Sequence, residues 1–276
     1  MRELLNKIGI ECIGAVPLAE CKITKQYLLD KNKISQDACV IPMLLPYRSE
    51  LAPENLSVYA SVRDYHAFVD ILRKEVDKYL LDKGIDKPHM LFADHSPINE
   101  VHACCIAGLG FIGDNGLLIN EKYSSFVFLC ELIIDAEPSV LGLEYTTCNE
   151  VKRCIGCGAC ARACPSNCMD KTDPRPKSEC LSAITQKKGT LTEGEVELML
   201  KNGSVWGCDA CQNVCPYTKN AEYTKIEFFK QGIILRLDID TIEKMSDEEF
   251  FSRPFSWRGR EVILRNLHHF EKGGNA

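Results

Sequence analysis

The sequence predicts an α+β protein in which a mixed α/β N-terminal part precedes a compact, loop-rich and cysteine-rich part. Two observations lead to this prediction. Helix and strand patterns alternate along the first 145 residues, which is typical of an α/β core. Eight of the sixteen cysteines then form two short motifs and one isolated position in the following segment, where glycine, proline and short loops dominate the ends.

Length and charge limit the classes of function. The chain has 276 residues, of which 45% are hydrophobic, enough for one large core or two modest ones. A net charge of −6 indicates that the protein as a whole is not a polyanion binder, so a nucleic acid would need a local basic patch. The N-terminus lacks the apolar core of an export signal, and no segment approaches the about 18 apolar residues of a membrane span. We therefore expect a soluble, cytoplasmic protein without a membrane partner.

The first long helix is predicted over residues 63–84. Its apolar residues recur at helical spacing and form one face, and Gly84 ends it. His66 lies at its start, where a surface or capping role competes evenly with a role in a site. The apolar face consists of Phe68, Ile71, Leu72, Val76, Tyr79 and Leu80.

A strand, a helix and a second strand follow. Residues 89–94 (HMLFAD) predict a short buried strand, and Ser96-Pro97 predicts a helix start, with Ser at the N-cap and Pro in the first turn. This helix would run to the glycine-containing segment 107–110. Residues 125–135 (SFVFLCELIID) are rich in aromatic and branched residues and predict a second buried strand.

These patterns predict three parts. Residues 1–145 form the α/β domain, residues 146–220 form the cysteine-rich domain, and residues 221–276 form a helical tail. Within the second part, residues 193–203 predict a short helix.

The cysteine motifs have the spacing of iron–sulfur ligands. Residues 154–165 (CIGCGACARACP) match C-x2-C-x2-C-x3-C-P, the bacterial ferredoxin spacing, and residues 208–216 (CDACQNVCP) supply a second C-P. In this spacing three thiolates bind one [4Fe–4S] cluster and the fourth turns towards another. The motifs give seven ligands, and the isolated Cys180 is the eighth.

The crossed pattern predicts the ligands of two clusters. Cluster one takes Cys154, Cys157, Cys160 and Cys215, and cluster two takes Cys164, Cys180, Cys208 and Cys211.

Alternatives to this assignment remain. Cys168, close to the first motif, could replace Cys180. Zinc also binds four thiolates, although the triple spacing with two C-P pairs favours iron–sulfur clusters. A disulfide scaffold suits small secreted domains and does not suit this chain. Two clusters form an electron path, so we expect the first 145 residues to hold the electron acceptor.

Asp94 is the candidate acid in the first part. It ends a predicted strand just before a predicted helix, where a carboxyl facing a cleft could act as a general acid. A cap or a partner for the helix dipole is the competing interpretation. Residues 107–120 (AGLGFIGDNGLLIN) are glycine-rich, but they end a helix, which argues against a dinucleotide loop and favours close approach of the backbone to a large flat ligand.

Six segments in this order resemble the epoxyqueuosine reductase family. They are RDYH (63–66), ADHSPINE (93–100), AGLGFIGDNGLLIN, the first cysteine motif, Cys180 before LSAIT, and GCDACQNVCP, with a weaker similarity in FSRPFSWRGREVILRN near the end. The resemblance covers about residues 45–220, and the combination is more specific than any one segment.

The resemblance implies two [4Fe–4S] clusters, a cobalamin, and reduction of epoxyqueuosine in tRNA to queuosine. Electrons would come from a donor such as ferredoxin or flavodoxin. The family's proton donor lies in a D-S-x-P-type motif, which here is D-H-S-P at Asp94, so the catalytic role is favoured over the cap. The glycine stretch would lie in the corrin-binding region. The residues assigned to cofactor binding are His66, Asp94, Gly110 and Asn115.

Two departures from the family pattern bear on function. Members usually have Gly-Lys-Asn where this chain has Gly113-Asp114-Asn115, which reverses a charge beside the cofactor region. Many members also have a C-terminal helical-repeat domain that helps to bind tRNA, and we expect this chain to lack one. The basic residues around the first motif are better explained as a solvated face; they are Lys152, Arg153, Arg162 and Lys171.

Three hypotheses follow. The first is an epoxyqueuosine-reductase-like enzyme that depends on cobalamin and iron–sulfur clusters. The second keeps these cofactors but reduces another small substrate, such as a halogenated or epoxide compound. The third is a two-cluster electron-transfer protein without cobalamin.

Overall fold

The structure, a computed structural model, describes residues 1–146, 153–169 and 176–273. Internal contacts divide the chain into two compact units, and neither is a continuous stretch. The three-part division at residues 145 and 220 stays a prediction. Unit 1 comprises residues 1–46, 65–155 and 222–227, and unit 2 comprises residues 47–64, 156–221 and 228–276.

The strands of the described residues all belong to unit 1. They are β1 (Val16–Pro17), β2 (Cys39–Pro46), β3 (His89–Phe92), β4 (Phe111–Ile112), β5 (Leu118–Ile119) and β6 (Val127–Ile134).

Helices account for most of the remaining regular structure. They are α1 (Arg2–Lys7), α2 (Gln26–Lys31), α3 (Val58–Ser61), α4 (Tyr65–Asp82), α5 (Glu100–Ile106), α6 (Ala159–Ala163), α7 (Leu181–Thr185), α8 (Glu193–Lys201), α9 (Ala210–Asn213), α10 (Glu227–Lys230), α11 (Ile239–Lys244), α12 (Asp247–Phe251) and α13 (Arg260–Gly273). Short 3-10 helices lie at Leu18–Glu20, Pro138–Leu141, Lys177–Glu179, Pro216–Thr218 and Pro254–Arg258.

The core of unit 1 is a four-stranded sheet in the order β1-β2-β6-β3, in which every pair is antiparallel. β2 is buried along its whole length and pairs with β6 from Cys39 opposite Ile134 to Pro46 opposite Val127. Residues buried on both faces of a strand read as an unbroken apolar run, which is why residues 125–135 gave a clear strand signal. The predicted combination of helices with this sheet and a separate cysteine-rich segment is confirmed as α+β.

The predicted long helix is confirmed as α4. Phe68, Leu72 and Val76 are buried as expected, and Gly84 ends the helix region at a φ of +66°. Ile71, which was assigned to the apolar face, is 47% exposed. Tyr65 and Val69 are buried in addition, so the apolar face is rotated slightly from the predicted one.

The predicted start of the next helix is wrong. α5 begins at Glu100, and its N-cap is Asn99, whose side chain accepts a hydrogen bond from the His102 N–H at 2.9 Å. Ser96 instead accepts from the Ile98 N–H and donates to the buried Glu131 carboxylate, so a tertiary partner takes the hydroxyl that would have capped the helix. The helix ends at Ile106, before the glycine-rich segment, as predicted.

Unit 2 consists of short helices around two apolar cores. The larger core includes Trp206, Phe250 and Phe255. A fully buried Asn266 on α13 donates to the carbonyls of Thr185 at 2.7 Å and Val205 at 2.8 Å. The predicted helix at 193–203 is confirmed as α8, which starts with a capping box between Thr192 and Glu195.

In the regions the structure describes, no helix is both long enough and apolar enough to cross a bilayer.

Glu11 links three segments of unit 1. Its Oε2 accepts hydrogen bonds from Lys122 Nζ at 2.6 Å and Tyr123 Oη at 2.7 Å, and its Oε1 accepts from Lys225 Nζ at 2.8 Å. The bond from Lys122, followed by those from Lys225 and Tyr123, lowers the pKa of Glu11 to about 2. The ionised carboxylate therefore attaches the segment 222–227 to the rest of unit 1.

Replacing this carboxylate should destabilise the protein. We expect Glu11→Gln to lower the free energy of unfolding by about 2 kcal/mol at pH 7, because three donors lose an ionised acceptor. Since the pKa of Glu11 is lower in the folded than in the unfolded protein, this stability is complete above the unfolded pKa of about 4.5 and is lost as the pH falls towards 2.

Urea unfolding followed by circular dichroism at pH 7 and pH 5 checks this expectation. The difference between wild type and Glu11→Gln should be the same at both values, and Glu75→Gln on the exposed side of α4 is the matched control. A difference that disappears by pH 5, or an equal effect of the control, would contradict the proposed role of Glu11.

Candidate functional site

Asp94 lies in the loop between β3 and α5, two residues beyond the last strand residue. Its backbone has a φ of +58°, a left-handed conformation that is uncommon for residues other than glycine. Its N–H donates to Glu100 Oε1 at 3.1 Å. The side chain is 70% exposed, so the carboxyl is accessible to a substrate.

His66 is the neighbour of Asp94. It lies in the first turn of α4, with its Nε2 3.6 Å from Asp94 Oδ2, and 56% of its side chain is exposed. Its ring is 4.3 Å from that of Tyr65, which in turn stacks on Phe128 of β6 at a centroid distance of 4.3 Å. The structure thus brings together two predicted site residues that are 28 positions apart in the sequence.

Two further carboxyls lie behind Asp94. Glu131 on β6 is 1% exposed and accepts a hydrogen bond from Ser96 Oγ. Burial, and then the charge of Asp94, raises the pKa of Glu100 to about 7. Burial and the charge of Glu100 raise the pKa of Glu131 well above its ordinary value. The pair therefore holds a proton near neutral pH.

The sequence reasoning did not single out Glu100 and Glu131. The signal for Glu131 was present, since a glutamate in the middle of the apolar run 125–135 has to be buried with a partner or neutralised. Glu100 had no comparable signal, because a glutamate in the first turn of a helix is ordinarily explained by the helix dipole.

The hairpin of β4 and β5 contains the other predicted cofactor residues. A Cβ on Gly110 would lie 2.5 Å from the Ile119 carbonyl oxygen, so the missing side chain at Gly110 serves the packing of the hairpin. Asn115 Oδ1 accepts from the Leu117 N–H at 3.2 Å and shapes the turn. Ile112 is 55% exposed, and Leu117 is also exposed. These exposed apolar side chains, more than the glycines, fit the face of a large flat ligand.

The first cysteine motif lies in a glycine-containing loop followed by a short helix. Gly156 and Gly158 have φ values of +64° and +68°, which lets the loop turn tightly between the first three cysteines. Cys160 lies on α6, and Cys164 is its C-cap residue. Cys154 is half-buried and falls in unit 1, whereas the other seven predicted ligands fall in unit 2.

The second motif is arranged around α9, which packs against α6. Cys211 lies on this helix, Cys208 precedes it, and Cys215 lies just before the 3-10 helix at Pro216–Thr218. Arg162 of α6 donates to the Cys157 carbonyl at 3.1 Å, which gives it a structural contact beside the motif. Lys152 and Lys171, from the predicted basic group, lie outside the described residues.

Four of the predicted ligands lie within electrostatic reach of one another. Burial, followed by the proximity of Cys180, raises the pKa of Cys208 to about 11. Burial, followed by Cys208 and Cys180, raises the pKa of Cys211 to about 12, and Cys164 contributes to both shifts. These four are the set assigned to cluster two. Thiols gathered in this way fit a metal-bound state, because coordination deprotonates them and removes their mutual penalty.

Cys168 is a fifth thiol in this neighbourhood. Burial, followed by the proximity of Cys164 and Cys180, raises its pKa to about 11. Its Sγ donates to the carbonyls of Ser166 at 3.7 Å and Pro176 at 3.6 Å. Among the side chains that the structure describes, no group of three or more His, Cys, Asp or Glu residues is arranged to hold a single metal ion.

The cysteine-rich segment matches a known family of domains. Residues 153–218 match the 4Fe-4S double cluster binding domain. This match lies within the predicted segment 146–220 and includes all eight predicted ligands, and it supports the iron–sulfur interpretation over zinc.

Three relatives that align with most of the chain share one name. An epoxyqueuosine reductase of Cyclobacterium marinum is 32% identical over 217 residues, covering 77% of this chain and 67% of the relative. One of Leadbetterella byssophila is 30% identical, covering 82% of this chain and 74% of the relative. One of Bacillus subtilis is 29% identical, covering 92% and 68%. The chain thus spans about two thirds of the length of the curated relatives it matches.

Solved structures share the fold. An epoxyqueuosine reductase with an epoxyqueuosine-modified tRNA-Tyr stem loop has a TM-score of 0.73 at 22% identity, covering 97% of this chain and 79% of that one. The enzyme from Streptococcus thermophilus has a TM-score of 0.68 at 22% identity, covering 99% and 80%. Because relatives at 30% identity or more align over two thirds or more of their length, the chain belongs to the epoxyqueuosine reductase family.

Proposed function

We propose that the chain reduces the epoxide of epoxyqueuosine in tRNA, with electrons supplied through two [4Fe–4S] clusters and a cobalamin. Removing an epoxide oxygen takes two electrons and two protons and releases water. The observation that carries the proposal is the exposed Asp94 carboxyl at the end of β3, with His66 3.6 Å away, in a chain that also has a double-cluster segment.

Asp94 is the proposed proton donor. The opening epoxide develops negative charge on its oxygen, and a carboxylic acid within hydrogen-bond reach can protonate that oxygen as the C–O bond breaks. The 70% exposure of Asp94 leaves it free to contact a substrate, and His66 can accept or return a proton at Oδ2.

The eight predicted cysteines would hold the clusters. Cluster one takes Cys154, Cys157, Cys160 and Cys215, and cluster two takes Cys164, Cys180, Cys208 and Cys211. The clusters, when bound, supply one-electron carriers. The proximity of the four thiols of cluster two supports its assignment.

A cobalamin, when bound, would supply a cobalt centre that delivers electrons to the substrate. The residues proposed to contact it are His66, Asp94, Gly110 and Asn115, together with the exposed Ile112 and Leu117 of the hairpin. Gly110 contributes through the hairpin that it allows to pack. Asp114, in place of the family's lysine, puts a negative charge on this hairpin and motivates a second candidate, the reduction of another small substrate.

The tRNA substrate is proposed from a relative. A solved neighbour is described with an epoxyqueuosine-modified tRNA stem loop, and its fold matches 97% of this chain. We propose ferredoxin or flavodoxin as electron donor and the cytoplasm as location, since cluster ligands have to stay reduced. The fifteen cysteines that the structure describes form no disulfide with one another, which is compatible with that location.

One test of the proposed function concerns the ligands of cluster two. Cys180→Ser should lower the iron content from about eight to about four per chain, because cluster two then keeps only three of its four thiolate ligands. Cys168→Ser should leave about eight, since its thiol is engaged with two carbonyls. Iron and sulfide are counted after anaerobic reconstitution and desalting. The reverse pattern would assign Cys168 as the ligand.

The second prediction concerns Asp94. Asp94→Asn removes the acid but keeps a side chain that tolerates the left-handed backbone, so both cofactors should remain bound. We expect kcat on an epoxyqueuosine-modified tRNA stem loop to fall at least about a hundredfold. Asp86→Asn, an exposed substitution before β3, is the control. Wild-type turnover by Asp94→Asn would return Asp94 to a structural role.

The third prediction concerns cobalamin. Reconstitution with iron, sulfide and cobalamin should give about eight irons and one cobalt per chain. Eight irons without cobalt would favour a two-cluster electron carrier. Bound cobalt without turnover of the tRNA stem loop would favour the second candidate, a reductase of another small substrate.

A further inference from the structure

The backbone conformation of Asp94 has to be stabilised by other residues. An L-residue in the left-handed region pays a conformational penalty, and aspartate is better tolerated there than most residues but still prefers the right-handed and extended regions. Asp94 has a φ of +58°, and the next N–H, that of His95, turns back to the Ala93 carbonyl at 2.6 Å. Contacts with neighbouring residues therefore have to keep Asp94 in this left-handed conformation.

Several contacts hold the residues that follow Asp94. The His95 ring lies 3.3 Å from Lys25 Nζ and 3.0 Å from Tyr27 Oη. The Ser96 hydroxyl donates to Glu131, and the Pro97 carbonyl accepts from the N–H groups of Thr24 and Lys25, just before α2. These contacts fix the second half of the loop, where the chain approaches α5.

Glu100 is the side chain that binds the main chain of Asp94 itself. It is the first residue of α5, and its Oε1 reaches back to accept from the Asp94 N–H at 3.1 Å. The geometry is similar to a capping box, except that the bound N–H lies six residues upstream instead of three. The buried Glu131 of β6 lies within electrostatic reach of the same Glu100 carboxyl.

We infer that Glu100 is a positioning residue, which holds Asp94 in its left-handed conformation and keeps the Asp94 carboxyl beside His66. Asp94 and His66 lie on different elements, and the 3.6 Å between them depends on the backbone at Asp94. Loss of the bond from Asp94 N–H lets the loop relax and moves the carboxyl. The inference rests on the proposed function only where it concerns turnover, since the conformation of the loop can be measured without substrate.

Two variants separate this role from others. In Glu100→Gln the amide oxygen still accepts from the Asp94 N–H, so this backbone hydrogen bond remains although the ionisable group is gone. In Glu100→Ala the acceptor is removed. Glu75→Ala on the exposed side of α4 is the matched control, and all variants are used as the full chain after reconstitution. Circular dichroism and iron content check that each variant is folded.

The first measurement is hydrogen exchange of the Asp94 amide, by NMR or by mass spectrometry of peptides from the loop at 93–99. We expect exchange in Glu100→Ala to be faster by about tenfold or more, and exchange in Glu100→Gln to stay close to wild type. Unchanged exchange in Glu100→Ala overturns the inference. Exchange in Glu100→Gln as fast as in Glu100→Ala also overturns it, because the effect would then come from the ionisable group.

The second measurement is steady-state turnover of the modified tRNA stem loop. We expect kcat of Glu100→Ala to fall by about tenfold to a hundredfold with little change in KM, and kcat of Glu100→Gln to be largely restored. A wild-type enzyme without turnover contradicts the proposed function and leaves the exchange result to decide the inference. Faster exchange in Glu100→Ala with wild-type kcat overturns the catalytic consequence of the positioning.

Discussion

The arrangement of the Asp94 loop depends on one buried carboxyl. Glu131 is in the middle of β6, the strand that pairs with β2 on one side and β3 on the other, and it is 1% exposed. A buried carboxyl without partners costs several kcal/mol, so it has to be protonated, hydrogen-bonded or both. Ser96 donates such a bond, and it belongs to the segment that crosses from β3 to α5. The segment is therefore folded over Glu131, and Asp94 is at its exposed end.

This constraint explains why the helix start was predicted at the wrong residue. Ser-Pro before an apolar stretch is an ordinary helix start, and local sequence contains nothing against it. The preference was overridden by a contact with a residue 35 positions later, since the Ser96 hydroxyl binds Glu131. By contrast, the C-terminus of α4 and the N-terminus of α8 lie close to their predicted positions. Both are set by local features, Gly84 after α4 and the Thr192–Glu195 capping box at the start of α8. Local signals are readable from sequence, and competition from distant residues is not.

The candidate site divides in the same way. Spacing alone predicted the cysteine segment, because a cluster imposes its geometry on a short loop, and the match over residues 153–218 agrees. Asp94 was predicted from its place at the end of a strand together with the family resemblance. His66 was assigned to the same site, but its contact with Asp94 was not predicted, and Glu100 was not singled out, since the two residues reach Asp94 from different helices. The role of Gly110 in cofactor binding stays a prediction, and the structure adds a packing reason for this glycine, because a Cβ would meet the Ile119 carbonyl oxygen.

Reduction of an epoxide needs electrons and protons, and the chain supplies them from different kinds of residue. The electron side relies on the double-cluster segment, where the clustering of buried thiols is costly until a metal removes their protons. The proton side uses carboxyls in unit 1, where burial makes Glu100 and Glu131 hold protons that exposed carboxyls would lose. Burial thus acts on both sets in the same direction, by penalising the anionic form. The thiols would overcome that penalty by binding a cluster, whereas Glu100 and Glu131 avoid it by retaining a proton.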